Sequence, residues 1–226
     1  AEYTNTNYIR SFNPDGFTLA QNADINGSGA TYVAWMWRAG GPAVTKTAGS
    51  TNAEVSANPD YGFSICKYTG TGSAATIEHG LATAPKWMVV RNIDAVSNWN
   101  VYHSALGATK RVRLDENAAS QTSSGFWNNT EPTASLFTVN TDNDVNASGD
   151  EHIAYVWSEV AGFSKFGSYA GSGASGKQVT GLGFKPRFLM VKTYDASSSW
   201  VIVDSERGGD KLLFAEASNA DSSGDD

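Results

Sequence analysis

Two acidic–amide pairs hold the residue types best suited to chemistry. Asp24-Ile25-Asn26 and Asp144-Val145-Asn146 are each closely followed by Ser-Gly, at Ser28-Gly29 and Ser148-Gly149. Their oxygens are the hard donors calcium takes, but the glutamate and the spacing of a complete calcium loop are missing. Capping of a turn is the plainer expectation for Asp24, Asn26, Asp144 and Asn146, with a calcium site as the alternative. A glycosidase needs two carboxylates facing each other across roughly 5 to 10 Å. Glu206 near Asp204, or Asp144 near Asp150, supplies the groups without any arrangement that suggests machinery. The histidines, His79, His103 and His152, fall in no spaced zinc-ligand motif. Cys66 lies between Ile65 and Lys67 in a strand-like run and reads as a small buried residue rather than a nucleophile. As the only cysteine, it excludes an intrachain disulfide framework. Gly70-Thr71-Gly72 and Gly171-Ser172-Gly173 lack the lysine and following helix of a phosphate loop, so a loop needing flexible backbone accounts for them. No cofactor and no enzymatic activity are expected.

Aromatic side chains offer a different chemistry, stacking on sugar rings. Of the seven tryptophans, those matched between two internal copies of the sequence read as core. The unmatched Trp35, Trp127, Tyr102 and Tyr194 are the candidates for exposed ligand contact, with packing as the competing reading.

Those internal copies are the main organising feature. Residues 68–104 align with residues 169–205 at a shift of 101. Tyr68, Gly70, Gly72, Gly80, Leu81, Pro85, Val90, Asp94, Ala95, Ser97, Trp99 and Ser104 meet identical residues. A second block, residues 17–37, aligns with residues 137–157 at a shift of 120. It matches at Phe17, Thr18, Asp24, Asn26, Ser28, Gly29, Ala34 and Trp37. The shifts differ because the first copy carries extra residues at 40–60, which read as a long surface loop that can include a short hairpin. This is the signature of tandem duplication, with repeats at 1–121 and 122–226.

Runs of β-branched and aromatic residues bounded by Gly, Asn, Asp and Pro predict strands throughout. Thr31-Tyr-Val-Ala-Trp-Met-Trp37, Phe63 to Tyr68, Trp87 to Arg91, Trp99 to His103, Arg111 to Asp115, Gly125-Phe-Trp127, Leu136 to Val139, His152 to Trp157 and Leu212 to Glu216 are the main ones. No amphipathic stretch has helical length. The expected fold is all-β: an antiparallel, lectin-like or jelly-roll-like β-sandwich built from two tandem homologous repeats. Each repeat forming its own sandwich and equivalent halves sharing one body both remain open.

Composition narrows the partners. A net charge of -7 argues against a nucleic-acid binder and against docking on an anionic membrane. No apolar run reaches the length of a membrane helix, so no membrane insertion is expected. The chain starts Ala-Glu-Tyr and ends in a loop-like Asp-Ser-Ser-Gly-Asp-Asp, which suggests the ordered part of something longer.

The motifs Phe17-Thr-Leu19, Asn26-Gly-Ser-Gly29 running on to Trp37, Gly62-Phe-Ser64, Tyr68 to Gly72 and His79-Gly-Leu81 with Pro85 carry a resemblance. So does Val145-Asn-Ala-Ser-Gly149 continuing to Glu159-Val-Ala-Gly-Phe-Ser-Lys-Phe-Gly-Ser-Tyr169. From Phe17 to Gly208 the chain resembles a tandem-repeated domain of tailed, especially marine, bacteriophages, found in tail-fibre and other virion structural proteins. The resemblance implies a virion location. It implies a tail-fibre, appendage or decoration module exposed to the host, with other virion proteins and further copies of itself as partners. A carbohydrate-binding host-recognition module that takes a surface glycan is the alternative, and a polysaccharide-degrading enzyme the third reading.

Overall fold

The computed structural model describes residues 2, 4–218 and 222–223. They fall into two compact units, Ala1–Trp37 and Arg38–Asp226. The first unit holds a hairpin of β1 (Ile9–Asn13) and β2 (Gly16–Leu19), turned by Pro14-Asp15. A single helical turn, α1 (Ala23–Asn26), follows, capped by the Asn22 side chain on Asp24 N. Residues 31–37 run on as irregular chain, not as the strand their composition predicts. Their apolar alternation needs a partner ladder before it becomes a strand.

The second unit is largely β-strand in several antiparallel sheets. In order come β3 (Val44–Lys46), β4 (Ala53–Asn58), β5 (Phe63–Thr69), β6 (Ala75–Glu78), β7 (Trp87–Asn92), β8 (Asn100–His103), β9 (Lys110–Arg113) and β10 (Gln121–Thr122). Then come α2 (Ser124–Trp127), β11 (Leu136–Val139), α3 (Asn143–Asn146) and β12 (Glu151–Trp157). The last strands are β13 (Phe188–Lys192), β14 (Trp200–Asp204), β15 (Gly208–Phe214) and β16 (Ser222–Ser223). An eight-stranded sheet runs β10-β9-β8-β7-β12-β5-β4-β3, β6 pairs with β11, and β13 to β16 form a four-stranded sheet in sequence order.

Strand pairing therefore crosses between the two sequence copies. β12 belongs to the second copy, yet it lies between β5 and β7 of the first, with Ala154 opposite both Cys66 and Val90. β11 likewise pairs with β6. The compact units do not follow the 1–121 and 122–226 repeats.

Alternation assigns each strand's side chains to two cores, one on either face of the large sheet. Cys66, Tyr68, Met88, Val90, Tyr102, Ala154 and Val156 join Ile77, Phe126, Trp127, Phe137 and Val145 in one cluster. Phe63, Val89, Val101, Val112 and Trp157 join Trp200 in the other, with Met190 packed against it. Coverage on both faces is why Trp87–Asn92 reads as a nearly continuous apolar run.

Two further expectations need correction. Residues 40–60 do contain a short hairpin, β3 with β4, but it is not a surface loop: it extends the large sheet, and Ala53 and Val55 are buried. Gly125-Phe126-Trp127 is a helical turn rather than a strand, because the Ser123 hydroxyl caps Gly125 N and starts α2.

Candidate functional site

The densest polar chemistry lies where the second copy's α3–β12 segment enters the first copy's loops. Asp142 caps α3 by accepting from Asp144 N at 3.0 Å. Asn146, fully buried at the end of that turn, ties three stretches together. Its Nδ2 donates to Ser73 O at 2.6 Å and Asn140 O at 2.7 Å, while its Oδ1 accepts from Thr71 N at 2.8 Å. Gly72 N donates to Asn146 O and Gly70 N to Asp150 O, both at 2.8 Å, and Gly149 N returns to Gly70 O at 2.9 Å. Gly70 and Gly72 are needed for this close approach: a Cβ on Gly70 would stand 2.1 Å from Ala147 O.

Carboxylates around the clamp are engaged by neighbouring groups. Asp144 Oδ2 accepts from Asn100 Nδ2 at 3.1 Å and lies 3.7 Å from an Arg113 guanidinium nitrogen. The Asn98 amide fits with its oxygen toward Arg113 and its nitrogen toward Asp115. Asp150 Oδ2 accepts from Asn92 Nδ2 at 2.8 Å, and Asp94 Oδ2 accepts from Glu151 N at 2.7 Å.

His152 completes the clamp. It stacks on Tyr68 with ring centroids 5.4 Å apart, and Ala147 N donates to its Nε2 at 3.3 Å. Nδ1, 3.1 Å from Asp150 O, must then carry the proton of the neutral ring. Burial lowers the imidazole's pKa below the ordinary histidine value. His79 behaves alike: Leu81 N donates to Nδ1, leaving Nε2–H for Thr133 O, and burial again depresses its pKa. Burial pushes the Cys66 thiol up to about 12, far from a nucleophile's range.

The predicted site residues are not brought together. Asp24 accepts from the Tyr8 hydroxyl, and Asn26 donates to Ala20 O. These two and Asp144 with Asn146 sit on equivalent single-turn helices. Among the described residues no cluster of three or more His, Cys, Asp or Glu is placed to hold a metal ion. Trp127 and Tyr102 are not surface contacts, being only 1% exposed. They pack edge to face in the core, where Trp127 Nε1 bonds Lys110 O and the Tyr102 hydroxyl donates to Glu131 Oε2 at 2.5 Å. Trp35 and Tyr194 are exposed. Glu206 is exposed beside Asp204, whose carboxylate caps a turn by accepting from Glu206 N, Arg207 N and Arg207 Nε.

A family model described as Domain of unknown function (DUF7483) matches residues 1–226. The chain belongs to that family. No curated protein and no solved structure matches it. In this DUF7483 chain the signal for the clamp was the Gly-x-Gly loop, read by sequence as flexible backbone. Its role, close approach to a segment some 75 residues away, depends on a pairing the local sequence does not announce.

Proposed function

We propose that the chain is a structural module of a bacteriophage virion, a tail-fibre, appendage or decoration element whose tandem repeats build lectin-like antiparallel β-sandwich bodies. The observation that carries this reading is β12 of the second copy lying between β5 and β7 of the first. Strand exchange of this kind joins successive repeats through a shared sheet, which suits a module that builds extended assemblies. The dense Asx and histidine chemistry supports the same reading, because those side chains are engaged in holding loop backbone. The resemblance of the sequence motifs to tail-fibre and virion proteins supports a place in the particle, with other virion proteins and further copies of this chain as neighbours.

Imaging the intact particle tests the proposal. Density for this sequence in a fibre, an appendage or the shell is the expected result. Absence of the chain from purified particles by mass spectrometry would refute it. The exposed Trp35 and Tyr194 favour a second reading, contact with a host glycan. A glycan array on which Trp35→Ala and Tyr194→Ala bind like the parent chain would remove it.

A further inference from the structure

His152 and Tyr32 hold matching positions in the two sequence copies, and each closes a single-turn helix with different chemistry. The Tyr32 hydroxyl donates to Ala23 O and accepts from Gly27 N, both at 2.7 Å. A hydroxyl carries donor and acceptor at once, so both backbone groups are satisfied together. At the shift of 120 those groups match Asn143 O and Ala147 N, and each lies 3.3 Å from His152 Nε2. An imidazole nitrogen serves only one of the two at a time. Bare, it accepts from Ala147 N; protonated, it donates to Asn143 O.

The surroundings are arranged for both states. The ring is fully buried, and that burial lowers its pKa, opposed by the carbonyls of Asn143 and Asp150 and by the charges of Asp150 and Asp94. In the neutral ring Nδ1–H points to Asp150 O at 3.1 Å and Nε2 accepts from Ala147 N. Asn143 O keeps a partner in that state, because Asn92 Nδ2 lies 3.3 Å from it. In the protonated ring Nδ1–H keeps Asp150 O, and Nε2–H turns to the second lone pair of Asn143 O. Of these groups, Ala147 N alone loses its bond. The charges around the ring come from Asp150 before β12 and Asp94 after β7. From β5 it meets Tyr68, whose phenol burial keeps uncharged, and α3 brings Asp142 and Asp144, engaged by Asp144 N and by Asn100 with Arg113.

Ala147 N anchors the tightest point of the clamp. Ala147 O is the atom that a Cβ on Gly70 would meet at 2.1 Å, and Gly149 N donates to Gly70 O at 2.9 Å. On one side Asn146 is held separately through Thr71 N, Ser73 O and Asn140 O. On the other, β12 is held by its ladders to β5 and β7. Loss of the Ala147 bond therefore loosens residues 147–149 and leaves both flanks in place.

We infer that His152 is a proton-operated latch on the clamp. One proton taken from solvent moves its Nε2 bond from Ala147 N to Asn143 O and frees residues 147–149 from the loop at 70–72, with Asn146 and β12 still held. The latch is independent of any place in the virion, so particle imaging and the test below fail separately.

The test follows the full 226-residue chain by NMR as the medium is acidified from about pH 7.5. Spectra of the imidazole nitrogens should show His152 with its hydrogen on Nδ1 at the start and its protonation on acidification. Amide exchange, corrected for its intrinsic pH dependence, should speed at least about tenfold at Ala147 and Gly149 with the midpoint of His152. Gly72, Val90 and Tyr155 should keep their protection. His152→Tyr brings the Tyr32 arrangement to the clamp and takes up no proton in this range, so exchange at both amides should no longer depend on pH. If that variant does not fold, the midpoints within the parent chain decide. A neutral His152 with its hydrogen on Nε2 overturns the inference. So does protection at Ala147 and Gly149 that is unchanged while His152 titrates, that follows His79 or His103 instead, or that is lost together with all of β12.

Discussion

Gly70 and Gly171 occupy matching sequence positions, and the fold predicts opposite consequences for the same substitution. At Gly70 an added Cβ would stand 2.1 Å from Ala147 O and 2.9 Å from Ala147 C and Asn146 C, below the 3.0 Å that Cβ contacts essentially respect. All three atoms are backbone, so no side chain can swing aside. Relief requires the loop at residues 70–72 to withdraw by roughly 1 Å from residues 146–150, overpacking that costs about 1–3 kcal/mol. Withdrawal also stretches Gly70 N to Asp150 O and Gly149 N to Gly70 O, at about 1 kcal/mol each. Gly70→Ala should therefore destabilise the second unit by roughly 3–5 kcal/mol. For a unit of this size that lowers Tm by roughly 6–20 °C. Gly171→Ala meets nothing within 4 Å, so only the reduced freedom of the unfolded chain acts, stabilising by about 0–1 kcal/mol. Urea unfolding followed by tryptophan fluorescence measures both. Equal midpoints for the two variants would refute the clamp as the origin of this difference.

Asn146→Ala should cost roughly 3 kcal/mol or more, because it leaves Ser73 O, Asn140 O and Thr71 N without their partner in a buried site. Asn26→Ala, which loses one partly exposed bond to Ala20 O, should cost less than about 1 kcal/mol in the same denaturation assay. For pH dependence, burial lowers the pKa values of His79, His103 and His152 below the ordinary value of 6.5. Below about pH 6.5 the unfolded chain then binds more protons than the native one, so stability is complete above that pH and falls as the medium is acidified. Calorimetry should give a Tm that is flat from pH 8 to 7 and declines between roughly pH 6.5 and 5. A Tm that rises on acidification would contradict it. Cys66, fully buried with its thiol pushed up to about 12, should stay silent to a thiol reagent at neutral pH until the chain unfolds. Labelling of the native protein would place it at the surface.

Local pattern is enough to find most strands. Phe63–Thr69, Leu136–Val139 and Glu151–Trp157 carry the alternation or β-branched runs that a half-covered pleat selects. Residues 31–37 carry the same pattern, more strongly in aromatics, and are irregular. A strand requires a ladder, and ladder partners are not a property of the segment itself. Residues 53–58 fail in the other direction: Ala-Glu-Val-Ser-Ala-Asn is too polar to announce itself, yet β5 on one side makes it a strand. Trp127 and Tyr102 depart from expectation for a related reason. Lack of a match in the other copy measures divergence, while burial depends on what packs above a residue, here α2 over the large sheet.

The candidate site is hidden at a higher level. Self-comparison yields a period, but any point along the period can serve as the cut between one repeat and the next. The physical cut is set by which strands hydrogen-bond, and β12 bonding to β5 and β7 moves it from near residue 122 to the segment after Trp157. On that phase residues 38–157 hold one receiving half with its insert. Residues 17–37 match the inserted segment in sequence, and residues 169–205 match the receiving one. The Asp-x-Asn and Gly-x-Gly motifs then stop looking like weak calcium and phosphate loops. In the filled clamp they are its two faces: Asn146 bonds backbone on both sides of the junction, and the glycines admit the chain that Asn146 holds. The same residue types recur in the matching sequence blocks, as Asn26 in one and as Gly171 with Gly173 in the other.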